Sequence, residues 1–552
     1  MKKLLLAAVA LTAIPLLAIA AGPAGIDAQR LSDTVKTIAS DEYEGRGPAT
    51  PGEVKTVAYI IAQMKADGLQ PGGDKQPDGT RAWTQDVPLG RFEITGTPSF
   101  SYAIGGATQA LAQGDDIAVR ASMTNVDRVD IENAPLVFLG YGVKAREKNW
   151  DDFKGMDLKG KVGIVLINDP DFETGSGDFG GKAMTYYGRW TYKYEEAARQ
   201  GLAGLIIVHE TAPASYGWAT VKNSNTNVQF DIVRKKPLEA HPLMEAWIQR
   251  DQAAAMLQKA GLDYEALKKL AQTRDFKPVV LTGETFTAKY DVDHKVIVSK
   301  NVAGILPGTK HPDELLVYTA HWDHLGVGRP DAKGDKIYNG ALDNASGIAC
   351  LLELARVFGQ GPKPERSILF LAVTAEEKGL LGSEYYAANP LYPLATTVGD
   401  INMDGAGING RAHDFTISGS AKLALLDDLT ALAATRGRTY SPDPRPEAGS
   451  FFRSDHFPFA KRGVPAISFG SGQNLLEGGV TRGKALADAY VKDRYHQPAD
   501  EWSADWDWSG VVEDLTLLHD LGWKLANSRE WPEWAAGSEF KAARDETKGQ
   551  RK

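Results

Sequence analysis

The sequence predicts an α/β protein, a sheet with helices on both sides. Three observations carry that prediction. Past residue 294, short apolar runs at 295–298, 315–319, 368–373, 400–403 and 466–469 have the length and composition of strands. Between them Ile348, Leu351, Leu352, Ala355 and Phe358 recur on one helical face. The chain is 43% hydrophobic and 24% charged, an ordinary globular balance that argues against disorder, collagen and coiled coil. Its 552 residues exceed the roughly 100–200 of one domain, so more than one is expected.

Composition also narrows the chemistry. Cys350 is the single cysteine, so no intramolecular disulfide, thiolate zinc finger or iron–sulfur cage can form. Its apolar surroundings, 348–354, predict a buried and inert thiol. A net charge of −9 does not suit a phosphate-binding surface, which argues against nucleic acid as a partner.

Residues 1–20 form their own unit. Lys2 and Lys3 precede an apolar run that ends in Ala18-Ile19-Ala20, the small-x-small form of a cleavage site. This is the pattern of a secretory signal peptide, and it predicts an exported protein, periplasmic or extracellular. The run is short and broken by Pro15, which favours cleavage over anchoring, and no later run is long enough to span a membrane.

Thr50-Pro51-Gly52-Glu53 then reads as a capping box with proline at the first helical position, opening a helix that Gly68 would end. Segments 81–139 alternate like strands. Runs at 161–167 and 205–208 read as buried strands, 194–200 and 252–271 as helices. Residues 120–285 contain no catalytic constellation. The charged tail past Trp534 is expected to fray.

The chemistry gathers just past the later strands. His321-Trp322-Asp323-His324 follows the strand at 315–319. Asp343 lies in the loop that opens the next helix. Glu376-Glu377 follows 368–373, and Asp404 follows 400–403. Ser454-Asp455-His456 and Tyr495-His496 come later. Each piece alone has an ordinary explanation: Glu376-Glu377 suits a helix start and Asp404-Gly405 a turn. Together they fall where an open α/β sheet gathers its loops into one cleft. Two histidines, two aspartates and a glutamate suit two divalent ions, with zinc favoured by imidazole and carboxylate. Two neighbouring cations repel, so one carboxylate should bridge them, while a second acid stays free to move protons.

These pieces resemble the secreted di-zinc aminopeptidases, in the superfamily of bacterial leucyl aminopeptidase, glutamate carboxypeptidase and the transferrin receptor. The resemblance rests on His321-x-Asp323, Gly340-Ala-Leu-Asp-Asn-Ala-Ser-Gly347, Ala375-Glu-Glu-Lys-Gly-Leu-Leu-Gly-Ser383, Asn402-Met-Asp404, Ser454-Asp-His456 and Tyr495-His496. Glu44-Gly-Arg46 and the following helix look like the family's N-terminal part, and 125–285 resembles its inserted protease-associated domain. The resemblance implies a mixed central sheet of the zinc-exopeptidase, phosphorylase/hydrolase-like kind with an inserted α+β, β-rich domain. The implied division is a leader at 1–20, peptidase parts at 21–124 and 286–530, the insert at 125–285 and a charged tail at 531–552.

The same resemblance implies two Zn2+ per chain. His321 and Asp404 would hold one, Glu377 and His496 the other, and Asp343 would bridge them. Glu376 would be the general base, and Asp323 would fix the tautomer of His321. Leu342 departs from members that carry an acid there, but it is not a ligand position. The expected substrates are peptides with a free N-terminus. A carboxypeptidase or dipeptidase on the same scaffold is the nearest rival; it needs a cation for a terminal carboxylate, and Arg453 is the candidate. A glutaminyl-cyclase-like acyltransferase would use one zinc, and a binding protein without catalysis would typically have lost ligands. The other histidines, at 209, 241, 294, 311, 413 and 519, lack ligand context. His324 and His456 lie near enough in sequence to touch the shell. Tyr186, Tyr187, Trp190 and Trp218 are packing residues or walls of the cleft mouth.

Overall fold

The computed structural model describes residues 25–328 and 330–551. The expected leader at 1–20 lies outside the described residues. The centre of the molecule is a set of four neighbouring parallel strands: Arg366–Val373, His311–His321, Thr397–Met403 and Ala466–Ser471. All eight positions of Arg366–Val373 are buried, as are all seven of Thr397–Met403. Such strands read as unbroken apolar runs because helices cover both sheet faces. Alternate residues of His311–His321 show the two faces. The Tyr318 hydroxyl donates to the Leu518 carbonyl in helix Ser509–Ala526, at 2.8 Å. The next residue, Thr319, donates instead to Asp400 Oδ1 and Asn402 Oδ1, each at 3.0 Å.

The first of these strands in the chain, His311–His321, lies between the next two, Arg366–Val373 and Thr397–Met403. The chain therefore winds to one side and then to the other. Loops leaving the carboxyl ends diverge there and open a crevice.

Beyond Arg366–Val373 the sheet continues through one long strand, Val279–Leu306. Its end, Val302–Leu306, pairs antiparallel with Arg366–Val373. Its earlier part pairs with Thr84–Ile104 and with Arg128–Phe138. From there Val162–Leu166, Gly204–His209 and Met244–Gln249 extend the sheet in parallel. One mixed 16-stranded sheet thus runs through the molecule.

Four local expectations are corrected. The run 295–298 does not belong to the core; it pairs with Thr84–Ile104, and Val296 and Val298 are exposed. The helix expected over 252–271 is two, Arg250–Lys259 and Tyr264–Ala271. Gly261 adopts a positive φ of 75° between them, and Asp263 caps the second by accepting from the Ala266 amide. The helix Pro51–Ala66 begins as expected, but without the reciprocal capping box. Glu53 accepts from the amide of Ala49 and the hydroxyl of Ser299, while the Thr50 hydroxyl donates to the Gly47 carbonyl. The tail packs rather than frays: Trp534 and Phe540 are buried, and buried Arg544 donates to the Thr397 carbonyl at 3.0 Å. Among the described residues no helix is long and apolar enough to cross a membrane.

Arg46 joins the N-terminal part to the core. It is fully buried, and its guanidinium donates to the carbonyls of Ile38, Trp322, Asn339 and Gly340, at 2.6–2.9 Å. The turn that delivers it needs Gly45, whose φ is 63°; a Cβ there would meet the Tyr338 carbonyl oxygen at 2.5 Å. Replacing Arg46 by Met leaves these carbonyls buried and unpaired. The expected loss is about 3–5 kcal/mol of unfolding free energy in urea, the scale of a broken buried charge contact. An unchanged midpoint would show that Arg46 does not hold these segments.

Candidate metal centre

Each candidate side chain leaves a defined place in the fold. His321 ends its strand. Asp404 follows the neighbouring parallel strand Thr397–Met403. Glu376 and Glu377 follow Arg366–Val373 on the other side, in a single helical turn entered through Ala375 at φ 52°. Asp343 comes from the loop before helix Ser346–Gln360. That loop turns at Gly340, φ 53°, where a Cβ would meet the Asp343 carbonyl oxygen at 2.3 Å and the His324 ring at 2.5 Å. His496 lies between helices Gly479–Asp493 and Ser509–Ala526, its ring stacked on Tyr495 with centroids 3.9 Å apart.

These residues meet around Asp343. Its Oδ1 lies 3.3 Å from His321 Nε2, which is 3.2 Å from Asp404 Oδ1. Its Oδ2 lies 3.2 Å from His496 Nε2, which is 3.1 Å from Glu377 Oε2. The other Glu377 oxygen lies 2.6 Å from Nδ1 of buried His324. Two donor groups result, His321–Asp343–Asp404 and His324–Asp343–Glu377, with His496 beside the second.

Buried atoms in this cluster lack hydrogen-bond partners: both ring nitrogens of His324, His496 Nε2 and Glu377 Oε1. Such orphans are rare in a finished interior. Divalent cations would satisfy them, and imidazole with carboxylate is a zinc donor set. The residues present fit the metal.

Electrostatics separates the two glutamates. Burial, with the charges of Asp404 and Glu377, raises Glu376 well above the usual carboxyl range. Burial would also raise Glu377, but contacts with His324 and His496 lower it to about 2. Burial opposes ionisation of Asp343 too, yet His321 and His496 hold it well below its usual value. Neighbours in sequence are thereby driven apart, Glu377 toward the ionised form and Glu376 toward the protonated one.

Supporting residues surround the cluster. Asp323 sits differently from its expected role. The nearest partner of His321 Nδ1 is the Asp323 backbone carbonyl at 3.2 Å, while the carboxylate is 3.8 Å away and accepts from the Glu376 amide at 3.0 Å. Ser454 donates to Asp404 Oδ2 at 2.7 Å and receives a hydrogen bond from Asn402 at 2.7 Å. Asp455 accepts from Ser383, and His456 packs edge-on against Phe451. Asp500 was not expected at all. Its carboxylate accepts from the amides of Leu342 and Asp343 at 3.1–3.2 Å, and from the Tyr490 hydroxyl at 3.2 Å. Its position four residues past His496 was the available signal, but backbone amides leave no mark in sequence.

Two cavities flank the centre. One, of about 480 Å³, is lined by Glu376, Glu377 and His496 together with residues of the 125–285 segment. The other, about 330 Å³, lies on the Asp343 and Asp404 side among glycines, Leu475 and Leu486. Tyr186 and Trp190 line the first cavity. Tyr187 packs among Phe179 and Tyr192, and Trp218 donates to the Gly114 carbonyl. His241 was expected to be bland, but it lines the first cavity between Asp231 and Glu245.

Asp500→Asn keeps the side-chain shape but loses an acceptor for the Asp343 loop. Zinc affinity is expected to fall about 10–100-fold in chelator competition, as for other groups that orient ligands. Unchanged affinity would mean that Asp500 does not set the position of Asp343.

Residues 301–518 match the model of peptidase family M28. A probable zinc metalloprotease of Pyrenophora tritici-repentis is 36% identical over 132 residues, 23% of this chain and 30% of that one. An aminopeptidase of Mus musculus is 38% identical over 112 residues, 19% of this chain and 13% of that one. The chain thus spans less than a third of the length of these curated relatives. A solved aminopeptidase from Aneurinibacillus sp. strain AM-1 is 20% identical, with 92% of this chain and 95% of that one covered and a TM-score of 0.49. The matched residues include every donor at the cluster.

Proposed function

We propose that the chain is an exported zinc aminopeptidase that removes residues from the N-terminus of peptides. The observation that carries this reading is the placement of Asp343. Its two oxygens face separate imidazoles, and each imidazole also faces a second carboxylate. That arrangement supports two ions sharing one carboxylate. His321 and Asp404 would complete one site, and Glu377 and His496 the other, with His324 steadying Glu377 from below.

Bound zinc would supply a Lewis acid for the scissile carbonyl and a lowered pKa for water. Glu376 takes the proton from the attacking water and returns it to the leaving amine. It lines the open cavity and its amide is anchored on Asp323, so its carboxyl is fixed yet accessible. Carboxylate oxygens at the edge of the cluster, Asp404 above all, would receive the substrate's α-ammonium. The leader pattern supports export, and the strand-rich 125–285 segment supports a protease-associated insert walling the cleft.

Glu376→Gln is expected to retain zinc and lose about 10²–10⁴-fold in kcat. Normal turnover in a zinc-loaded variant would remove Glu376 from the proton-transfer role. Substrate class is read by comparing a free peptide with its N-acetylated form, each with and without chelator. Cleavage of the free form alone, abolished by chelation, is the expected result; equal cleavage of the blocked peptide would contradict an aminopeptidase.

A further inference from the structure

The 480 Å³ cavity beside Glu376 is rich in cations; three of its six lysines and arginines meet a carboxylate, and Lys378, next to Glu377, meets none among the described residues. Arg120 meets Glu245 at 3.0 Å, Arg234 meets Asp231 at 2.7 Å and Lys461 meets Glu195 at 2.8 Å. Arg189 and Arg453 are different. Arg189 is 8% exposed, its Nε has no hydrogen-bond partner, and no carboxylate among the described residues lies within ion-pair reach. Burial, and then the like charge of Arg453, lowers its guanidinium to about 10. Arg453 is exposed to the cavity; it donates to the Ala448 carbonyl at 2.7 Å and faces the Tyr216 ring at 6.0 Å. No carboxylate among the described residues pairs with it either.

A buried guanidinium without an anion is costly, and two like charges converging on one cavity add to the cost. The fold nonetheless places both there. Arg189 precedes helix Trp190–Arg199 in the segment read as an insert, and Arg453 adjoins Ser454 in the peptidase part. A planar, two-oxygen anion is the ligand that arginine forks match.

The two cavities give the anion a place in the substrate. The proton donor to the leaving amine, Glu376, lines the arginine cavity, whereas Asp404 lines the other. We infer that Arg189 and Arg453 form a subsite for a carboxylate on the residue that follows the scissile bond. The inference rests on the exopeptidase reading above and deepens it. The carboxylate has two sources, the C-terminus of a dipeptide or an acidic side chain. The first makes the enzyme selective for dipeptides, the second for peptides with Asp or Glu in the second position.

Three substrates sharing N-terminal leucine separate these cases: Leu-Ala, Leu-Ala amide and Leu-Glu amide. At least one carboxylate substrate is expected to show a KM about tenfold or more below that of Leu-Ala amide, the scale of a charged hydrogen bond. A low KM for Leu-Ala assigns the main-chain carboxylate, and a low KM for Leu-Glu amide assigns the side chain. In Arg189→Gln and Arg453→Gln the acid-over-amide preference should collapse toward unity. Calorimetric binding of acetyl-alanine to the zinc-loaded protein should weaken about tenfold in both. Thermal melts check folding, and if the buried position does not tolerate Gln, exposed Arg453→Gln carries the test. Equal KM values for all three wild-type substrates, or a preference that survives in the folded variants, would overturn the subsite. Acetyl-Leu-Ala reports on the aminopeptidase reading separately, because its cleavage bears on the free amine and leaves the arginine-dependent preference intact.

Discussion

Asp343, Glu376, Glu377, Asp404 and Asp323 converge in one largely buried cleft, and their mutual repulsion is the constraint that the rest of the structure answers. Carboxylates removed from water at such distances cannot all stay ionised without cations. His321 and His496 meet part of the demand, and their contacts hold Asp343 ionised. Glu376 is left with raised proton affinity. The unsatisfied ring nitrogens of His324 and His496 show that imidazole alone does not close the cluster. Divalent cations would complete it chemically.

The fold holds these repelling groups together through backbone as much as through side chains. Parallel strands end side by side, so His321, Asp404 and the Glu376–Glu377 turn cannot separate without breaking the sheet. Asp500 receives the amides of the Asp343 loop, and Asp323 receives the amide of Glu376. Arg46 ties the Trp322 and Gly340 carbonyls to the N-terminal part. The ligand loops are thus fixed from behind, while their front faces two cavities.

Much of this was legible because it is local. Strands at 315–319, 368–373 and 400–403 are continuous apolar runs, buried on both faces, and the donors follow at their ends. The run 295–298 misled for the same local reason. Its valines look like core, but their segment pairs at the exposed stretch of a 28-residue strand. Asp500, Arg46 and the altered contact of Asp323 were illegible because their partners are backbone groups, most of them distant in sequence, and backbone groups look alike at every position. Arg453 was visible as a candidate cation. The isolation of Arg189 was not, since lacking a partner is a property of the folded neighbourhood.

We propose that Asp343 organises two ions rather than one. Zinc content per folded chain, measured by elemental analysis after dialysis against trace zinc, tests it most directly. About two zinc ions per chain are expected in the wild type, with loss of tight binding at both sites in Asp343→Ala. One ion in the wild type, or two retained tightly without the Asp343 carboxylate, would contradict it.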